Sequence, residues 1–269
     1  MELNQNVIVV AGAGRGLGRG IATFFAGKGA RVACVDLSQE NLDATVTACE
    51  AAGGEARAYL ANVAKEEEVE ALFNNVVADF GALHGLVNNA GITRDGLLIK
   101  AKDGELISKM SLQQWQAVID VNLTGVFLCG REAAAKMVET GAEEGVIVNI
   151  SSLARQGSFG QSNYSAAKSG VAAMAEVWAK ELARYNIRTG AVAPGTINTD
   201  MLAAMKPEAR ERLASSLPPK PLGVPAPLAR SVQFSFTNVD SIRRPPESDR
   251  APTQKQADSP PSDKATALR

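Results

Sequence analysis

A glycine-rich stretch that follows an apolar run near the start of the chain constrains the fold more than any other feature. Residues 7–10 form a β-branched run typical of a buried parallel strand. Gly12, Gly16 and Gly18 follow it with the spacing G-x-x-x-G-x-G, and apolar residues at helical spacing come next. Strand, glycine turn and helix N-terminus form a site for a diphosphate, because glycine lets the backbone approach the anion and free N–H groups point at it. The sequence therefore predicts a dinucleotide-binding α/β fold.

An acidic residue ends the second predicted strand. Residues 31–35 form that strand, and Asp36 follows it, eighteen positions after Gly18. A carboxylate here accepts hydrogen bonds from the adenosine ribose and repels a 2′-phosphate, which favours NAD(H) over NADP(H). Arg15, inside the glycine stretch, could instead bind a 2′-phosphate, so NADP(H) stays open. Asp36 could also serve only as a helix N-cap.

A tyrosine and a lysine one helical turn apart are the strongest candidates for chemistry. Tyr164 and Lys168 share a helix face. The lysine ammonium can therefore lie near the phenol and lower its pKa. Such a phenol can exchange a proton with an alcohol or a ketone. The same pair is common on solvated helix surfaces, so its weight depends on the other motifs in the chain.

Five motifs besides the glycine stretch make the chain resemble the short-chain dehydrogenase/reductase family. They are N-N-A-G at 88–91, D-V-N-L-T-G-V-F at 120–127, V-I-V-N-I-S-S at 146–152, the Tyr-Lys pair, and V-A-P-G-T-I-N-T-D at 192–200. The resemblance extends from about residue 3 to about residue 238. The stretches 91–95 and 192–201 are most similar to reductases of β-ketoacyl (3-oxoacyl) thioesters.

The resemblance implies a set of site residues. The family's catalytic tetrad would be Asn122, Ser152, Tyr164 and Lys168. The cofactor would contact Gly12, Arg15, Gly16, Leu17, Gly18, Asp36, Leu37, Asn62, Val63, Asn89, Ala90, Gly91, Tyr164, Lys168, Pro194, Gly195, Ile197 and Thr199. Two departures qualify the match: Ala11 stands where the family has a threonine, and the loop before the tyrosine is one residue short. The short loop leaves Ser151 as a rival to Ser152.

Strands and helices alternate along the chain, which implies a doubly wound, Rossmann-type parallel sheet with helices on both faces, in three layers. The predicted strands lie near residues 6–10, 31–35, 57–60, 85–88, 146–151 and 189–192, and the clearest helices are 66–80 and 164–185. Alanine and apolar residues in 164–185 indicate burial on more than one side. The second partner could be another subunit, as the family's habits imply. We expect a single domain over residues 1–238 and a homo-oligomer, either a dimer or a tetramer.

Composition excludes several functional classes. The 269 residues carry a net charge of −1, so no nucleic-acid surface is expected. No apolar run approaches the ~20 residues of a membrane span, and no signal sequence precedes the first strand, so we expect a cytoplasmic protein. Cys34, Cys49 and Cys129 are interpreted as reduced core thiols. His84 is the only histidine and is interpreted as a loop residue, which leaves neither a Ser-His-Asp triad nor a metal site.

Two regions depart from the compact family pattern. Residues 91–122 are longer than needed, and we interpret 100–105 as a solvated polar turn in a surface excursion near the site mouth. Ser111 is expected to cap the helix that follows.

After Ile242 the only aliphatic residues are four alanines and Leu268, five prolines interrupt the stretch, and the family's last strand and Asp-Gly-Gly ending are missing. We therefore expect a disordered tail over 239–269 and an incomplete last strand, which would leave an open sheet edge and weaken oligomer contacts.

These features together predict an NAD-preferring oxidoreductase that interconverts a secondary alcohol and a ketone, with a 3-oxoacyl thioester as the leading substrate. By resemblance, Tyr164 would donate the proton and Ser152 would hydrogen-bond the carbonyl oxygen. Lys168 would hold a ribose hydroxyl and Asn122 would position a water. One alternative is an NADPH-dependent 3-oxoacyl reductase that uses Arg15. The other is a nucleotide-binding homologue that has lost catalysis.

Overall fold

The computed structural model describes residues 1–195 and 225–237, which form a parallel sheet with helices on both faces. The strands in chain order are β1 (Val7–Ala11), β2 (Arg31–Asp36), β3 (Glu55–Leu60), β4 (Gly85–Asn88), β5 (Ile99–Lys102), β6 (Glu105–Lys109), β7 (Gly145–Ile150) and β8 (Ile187–Val192). The helices are α1 (Gly16–Ala26), α2 (Gln39–Ala51), α3 (Glu66–Phe80), α4 (Leu112–Ile119), α5 (Gly125–Glu139), α6 (Ser162–Glu181) and α7 (Pro225–Thr237). The predicted strands and both predicted helices are confirmed, with ends that differ by a few residues.

The strand order positions the site. The sheet runs β3-β2-β1-β4-β7-β8, and every neighbouring pair is parallel. The order reverses between β1 and β4, where a doubly wound sheet opens a crevice at the carboxyl ends of its strands. Every residue of β1 and β7 is buried, because both strands are covered on both faces, and apart from Asn149 in β7 they have no polar side chain.

Two hydrophobic cores, one on each face, hold the helices against the sheet. Ile8 and Phe25 belong to the core beneath α1, α2 and α7, and the rings of Phe25 and Phe236 meet edge to face at 5.2 Å between centroids. Phe73 and Ile147 belong to the other core, beneath α3 and α5. The three-layer Rossmann-type architecture expected from the sequence is therefore confirmed.

Helix α6 is buried less completely than the sequence indicated. Val171 is fully buried, and Trp178 lies against Gly130 of α5, so this side faces the protein's own core. Val177 is 50% exposed, so within one chain the helix is covered on a single side. Contact between α6 and another subunit stays a prediction.

The excursion between β4 and α4 contains two strands that the sequence analysis missed. β5 and β6 pair antiparallel, and every one of their residues is exposed. Asp103 and Gly104 both have positive φ, 52° and 84°, as a two-residue hairpin turn requires. The expected polar turn is present, but it is the tip of a hairpin. Ser111 caps α4 through a full capping box with Gln114, as expected.

Other expectations have mixed outcomes. The three cysteines are buried and free. His84 lies outside any strand, but its Nδ1 accepts a hydrogen bond from the Val7 N–H at 3.1 Å. Among the residues described, no helix is long and apolar enough to cross a membrane, and no cluster of three or more potential ligands could hold a metal ion. The predicted last strand, its incompleteness and the tail over 239–269 lie outside the described residues, as do Ile197 and Thr199.

Candidate active site

The predicted site residues that the structure describes lie along the carboxyl edge of the sheet or at the start of α6, except Asn122, which lies between α4 and α5. Gly12 to Gly18 follow β1, Asp36 ends β2 and Leu37 follows it, Asn62 and Val63 follow β3, Asn89 to Gly91 follow β4, Ser152 follows β7, and Pro194 and Gly195 follow β8. Backbone contacts connect several of these turns; for example, the Leu153 N–H donates to the Pro194 carbonyl at 3.1 Å. The fold therefore brings together residues that are far apart in sequence.

Steric constraints make glycine necessary in the turn after β1. Gly12 has φ +74°, and a Cβ at that position would lie 2.6 Å from the Ala90 Cα. A Cβ on Gly18 would collide with the Gly12 carbonyl. Asn89 Nδ2 donates to the same carbonyl at 2.9 Å, which fixes the turn against the loop after β4. Because these glycines have no side chains, a ligand can approach the backbone of the turn closely.

The N-terminus of α1 suits an anion. Arg15 is the N-cap residue, its side chain makes no capping hydrogen bond, and the first turn contains no acidic residue. Within residues 1–195 and 225–237, no side chain accepts from the first N–H groups of the helix, and these groups carry the positive end of the helix dipole. This donor set fits the diphosphate of a dinucleotide such as NAD(P).

Asp36 binds the glycine turn rather than capping a helix. Its Oδ2 accepts from the Gly14 N–H at 2.9 Å, and its Oδ1 accepts from the Leu37 N–H at 2.8 Å. The N-cap of α2 is Ser38, whose hydroxyl accepts from the Asn41 N–H. The alternative interpretation of Asp36 as an N-cap is therefore wrong. The carboxylate is held beside the turn, where a ribose would lie.

Sequence analysis missed Arg19, which braces the same turn from behind. Its Nε donates to Thr45 Oγ1 at 3.0 Å, and its Nη2 donates to the Gly14 carbonyl. The Thr45 hydroxyl in turn donates to the Ala13 carbonyl at 2.9 Å. The only local signal was the position of this arginine directly after Gly18, the last glycine of the G-x-x-x-G-x-G spacing. Nothing in the sequence indicates that its side chain points inward.

The turn after β3 is also ordered by side-chain contacts. The Asn62 N–H donates to Glu68 Oε2 at 2.8 Å, and Asn62 Oδ1 accepts from the Ala64 N–H at 3.0 Å. Val63 packs so closely on Gly125 that a Cβ there would lie 2.9 Å from its side chain. Asn62 and Val63 thus have a defined place at the predicted adenine end of the edge.

The two candidate serines have different environments. Ser151 is 2% exposed, and its hydroxyl donates to the Lys168 carbonyl at 2.6 Å, which is an internal structural contact. The Ser152 hydroxyl accepts from the Ala154 N–H at 3.1 Å and lies close enough to the Tyr164 phenol to lower its pKa. Ser152 is therefore the serine that faces the tyrosine.

Lys168 lies beneath Tyr164, as the helical spacing predicts. Its Nζ is 5.7 Å from the centroid of the phenol ring and donates to the Ile150 carbonyl at 2.7 Å. Burial lowers the pKa of Lys168 to about 8. The loss of hydration is the cause, since burial penalises the charged ammonium.

The pKa of Tyr164 moves in the opposite direction from the expectation. Burial raises the pKa of the phenol, the hydrogen bond from Ser152 lowers it, and the charge of Asp95 raises it further. The expected lowering by Lys168 is not found in this structure, because desolvation of the phenolate dominates. A phenol with a raised pKa stays protonated at neutral pH and can act as a proton donor.

Asn122 lies in a π-helical segment, Asp120–Thr124, between α4 and α5. Such segments interrupt the regular hydrogen bonds of a helix and are frequent at functional sites. The Asn122 side chain is fully buried and exchanges two hydrogen bonds with the backbone of Ile92, at 2.8 and 2.9 Å. Its side chain is therefore occupied by the loop after β4.

Asp95 and Asn163 are neighbours of the tyrosine that the sequence analysis did not single out. Both oxygens of Asp95 accept from Gln161 Nε2, at 3.1 and 3.0 Å, just before α6. Asn163 Oδ1 accepts from the Tyr164 N–H at 2.8 Å. Asp95 lies in a stretch used for the family resemblance, but its contact with Gln161 spans 66 residues and has no local signal.

The amino-acid sequence of the chain matches a known protein family and several named relatives. Residues 6–210 match the family described as short chain dehydrogenase. The chain is 40% identical over 242 residues to the 3-oxoacyl-[acyl-carrier-protein] reductase of Thermotoga maritima, covering 90% of this chain and 94% of that protein. The proteins of the same name from Synechocystis and Staphylococcus aureus are each 41% identical, over 88% and 87% of this chain and 91% of each relative.

Proposed function

Because the chain belongs to the short-chain dehydrogenase family and is an NAD(P)-dependent oxidoreductase acting on CH–OH or keto groups, we propose that it reduces 3-oxoacyl thioesters to 3-hydroxyacyl thioesters. The names of its relatives support this substrate class. The observation that carries the chemistry is the Tyr164 phenol with Lys168 Nζ 5.7 Å from its ring centroid and with Ser152 close enough to lower its pKa.

In this proposal Tyr164 is the proton donor. The Tyr164 O–H gives its proton to the carbonyl oxygen, while NAD(P)H, when bound along the carboxyl edge of the sheet, would supply the hydride to the carbonyl carbon. Burial raises the pKa of this phenol, so it is protonated at neutral pH before the transfer. Ser152 donates a hydrogen bond to the same oxygen as negative charge develops there.

Lys168 and Asn122 support the donor. Lys168 is buried and its Nζ donates to the Ile150 carbonyl, so the amine is fixed beneath the phenol ring, where it would hold a ribose hydroxyl of the cofactor. The π-helical segment around Asn122 leaves the regular pattern of backbone hydrogen bonds, which suits the binding of a water that returns a proton.

We propose NADH as the preferred cofactor. The Asp36 carboxylate is held beside the glycine turn by two backbone N–H groups, where it can accept hydrogen bonds from a ribose and would repel a 2′-phosphate. NADPH is the second candidate, because Arg15 is exposed and no hydrogen bond or ion pair joins its guanidinium to the described part of the chain. A 2′-phosphate would give that guanidinium a partner.

One assay tests substrate and proton donor together. Purified protein is given an acetoacetyl thioester with NADH or NADPH, and Tyr164→Phe is the variant, because it keeps the ring and removes only the hydroxyl. We expect turnover to fall by roughly 10²-fold or more while cofactor affinity stays nearly unchanged. Retention of more than about a tenth of wild-type turnover would contradict the role of Tyr164. Cofactor binding without turnover of any ketone would favour the binding homologue.

A second comparison tests cofactor choice. Asp36→Ala removes the charge that would repel a 2′-phosphate, so we expect the kcat/KM for NADPH to rise relative to that for NADH. Arg15→Ala in the same background should reverse part of that gain. A wild-type enzyme that already prefers NADPH would make the Arg15 proposal the correct one.

Compartment, assembly and domain limits are also proposals. We propose a cytoplasmic homo-oligomer whose catalytic domain spans residues 1–238. For residues 239–269 we propose a disordered tail, from their proline content and from the scarcity of aliphatic residues after Ile242. Amide hydrogen exchange provides the test, since amides of a disordered tail exchange without protection and slow exchange would show that the tail folds.

A further inference from the structure

A short segment after β4 is held at alternate residues from different parts of the fold. The backbone of Ile92 is bound on both its N–H and its carbonyl by the Asn122 side chain. The Arg94 carbonyl accepts from Asn163 Nδ2 at 3.0 Å. The Gly96 N–H donates at 2.8 Å to a carbonyl in the loop that precedes α6. Residues 92–96 therefore contact both the π-helical segment and the start of the helix that carries the proposed proton donor.

Asn163 is the most constrained of these contacts. Its side chain is fully buried, and its Nδ2 also donates to the Gln114 carbonyl of α4 at 3.0 Å. Its Oδ1 accepts from the N–H of Tyr164 at 2.8 Å. Both amide hydrogens and the amide oxygen are thus used, and each joins a different segment of the chain.

Starting from the proposed function, we propose that Asn163 is a positioning residue that sets Tyr164 in register with segment 92–96, and through that segment with Asn122. Two proposed site residues on different helices would then be aligned against one short stretch of backbone. Catalysis is sensitive to such alignment, since a displacement of about 1 Å can cost about 10²-fold in rate.

The neighbouring contact between Asp95 and Gln161 cannot carry this role alone. It lies at the surface, where water can replace the hydrogen bonds that Gln161 donates. Asn163 is buried, so its removal would leave the Arg94 and Gln114 carbonyls without that donor. Both hydrogen bonds are partly buried, so losing their donor is costly where water cannot replace it, and the backbone is expected to move to satisfy the two carbonyls.

Asn149 offers a matched control for the experiment. It is equally buried, its Nδ2 donates to the Val171 carbonyl of α6 at 3.2 Å, and its Oδ1 accepts from Asn88 at 3.0 Å. Asn149→Ala therefore removes a buried amide that also braces α6, but that makes no hydrogen bond to Tyr164. Asn163→Ala and Asn149→Ala should lower the thermal midpoint by similar amounts.

Well below both midpoints, we expect Asn163→Ala to lower kcat roughly tenfold to a hundredfold, with the Kd for the cofactor within about twofold of wild type. Asn149→Ala should keep kcat within about threefold of wild type. Asn163→Ser, whose hydroxyl can satisfy one carbonyl, should recover part of the loss and serves if the alanine variant does not fold. Equal losses of kcat in Asn163→Ala and Asn149→Ala would overturn the proposal.

A second readout needs no substrate. Tyrosinate absorbance, with the signal of Tyr164→Phe subtracted, reports the titration of the Tyr164 phenol. The groups around this phenol are Ser152, Asp95 and Lys168. Displacing the phenol changes both its burial, which raises its pKa, and its approach to Ser152, which lowers it, so the titration of Asn163→Ala should shift away from that of the wild type, whereas Asn149→Ala should titrate as wild type. An unchanged Tyr164 titration in Asn163→Ala would overturn the positioning role of Asn163, whether or not the protein reduces a ketone. Failure of the wild-type protein to reduce any ketone would by itself refute only the proposed function.

Discussion

The glycine turn after β1 and the hairpin β5–β6 are both loops at the same end of the sheet, yet they are built in opposite ways. In the turn, a Cβ on Gly18 would meet backbone, and Asn89 binds the Gly12 carbonyl. In the hairpin every residue is exposed, and at its turn glycine, Gly104, a Cβ would meet no atom of the described residues within 4 Å apart from its chain neighbours. The cofactor end is thus specified by close packing, whereas the hairpin is specified by its own backbone hydrogen bonds and turn.

This difference separates two kinds of sequence constraint. Close packing makes each atom of the turn depend on several distant segments, so substitutions there act on the whole fold. A two-stranded hairpin without a packed face is only marginally stable by itself. Substitutions in the hairpin are therefore expected to have only local effects. Three tests of this contrast between closely packed and exposed positions follow, from the largest expected effect to the smallest.

The largest effect is expected from the glycine turn. Gly18→Ala places a methyl group against the Gly12 carbonyl, so the turn must move, and we expect a loss of about 4 kcal/mol of unfolding free energy or more together with the loss of cofactor binding. Gly27→Ala, at the other end of α1, is the control, because its Cβ would make only ordinary 3.5 Å contacts at φ −65°. Urea unfolding and cofactor titration measure both quantities. Equal behaviour of the two variants would show that the turn is less tightly packed than described.

An intermediate effect is expected from two isoleucines in different strands. Ile147 in β7 is fully buried, whereas Ile107 in β6 is 54% exposed. Ile147→Ala leaves a cavity and should cost about 2–5 kcal/mol, while Ile107→Ala should change stability by about 0.5 kcal/mol or less. Chemical denaturation of the two variants gives the comparison directly. A large loss of unfolding free energy for Ile107→Ala would mean that Ile107 is buried in solution, against another part of the chain or another molecule.

The smallest effect is expected from His84, at the opposite edge of the sheet from the site. Burial and the nearby charge of Arg31 lower the pKa of His84 in the folded protein. Its Nδ1 accepts from the Val7 N–H, which an imidazolium cannot do. The unfolded chain, with a pKa of about 6.5, then binds a proton that the folded protein does not.

Stability associated with His84 is therefore complete above about pH 6.5 and is lost as the pH falls through the lowered pKa of the folded state. His84→Gln, whose amide oxygen can accept the same hydrogen bond without titrating, should lose less stability between pH 8 and pH 5 than the wild type. Denaturation curves at both pH values test this. Identical losses would show that other groups account for the acid sensitivity.

Much of the fold and part of the site could be predicted from local patterns. The apolar run of β1, the glycine spacing and the alternation of strands and helices identified the parallel sheet, because each depends on backbone preferences within a few residues. The one-turn spacing of Tyr164 and Lys168 likewise placed the two on one helix face. The hairpin was missed because its strands have only four and five residues and include several charged residues, so the stretch resembles a solvated polar turn.

By itself, then, the sequence determined the order of the elements, the glycine turn and the candidates for chemistry, since these follow from steric and periodic rules that act along the chain. The tertiary structure decided which of two adjacent serines faces Tyr164, the direction in which the pKa of that phenol moves, and the use of Asn163 to join three segments. Those outcomes depend on desolvation and on hydrogen bonds between residues up to 69 positions apart. Burial is a collective property of the packed molecule, so no local pattern encodes it.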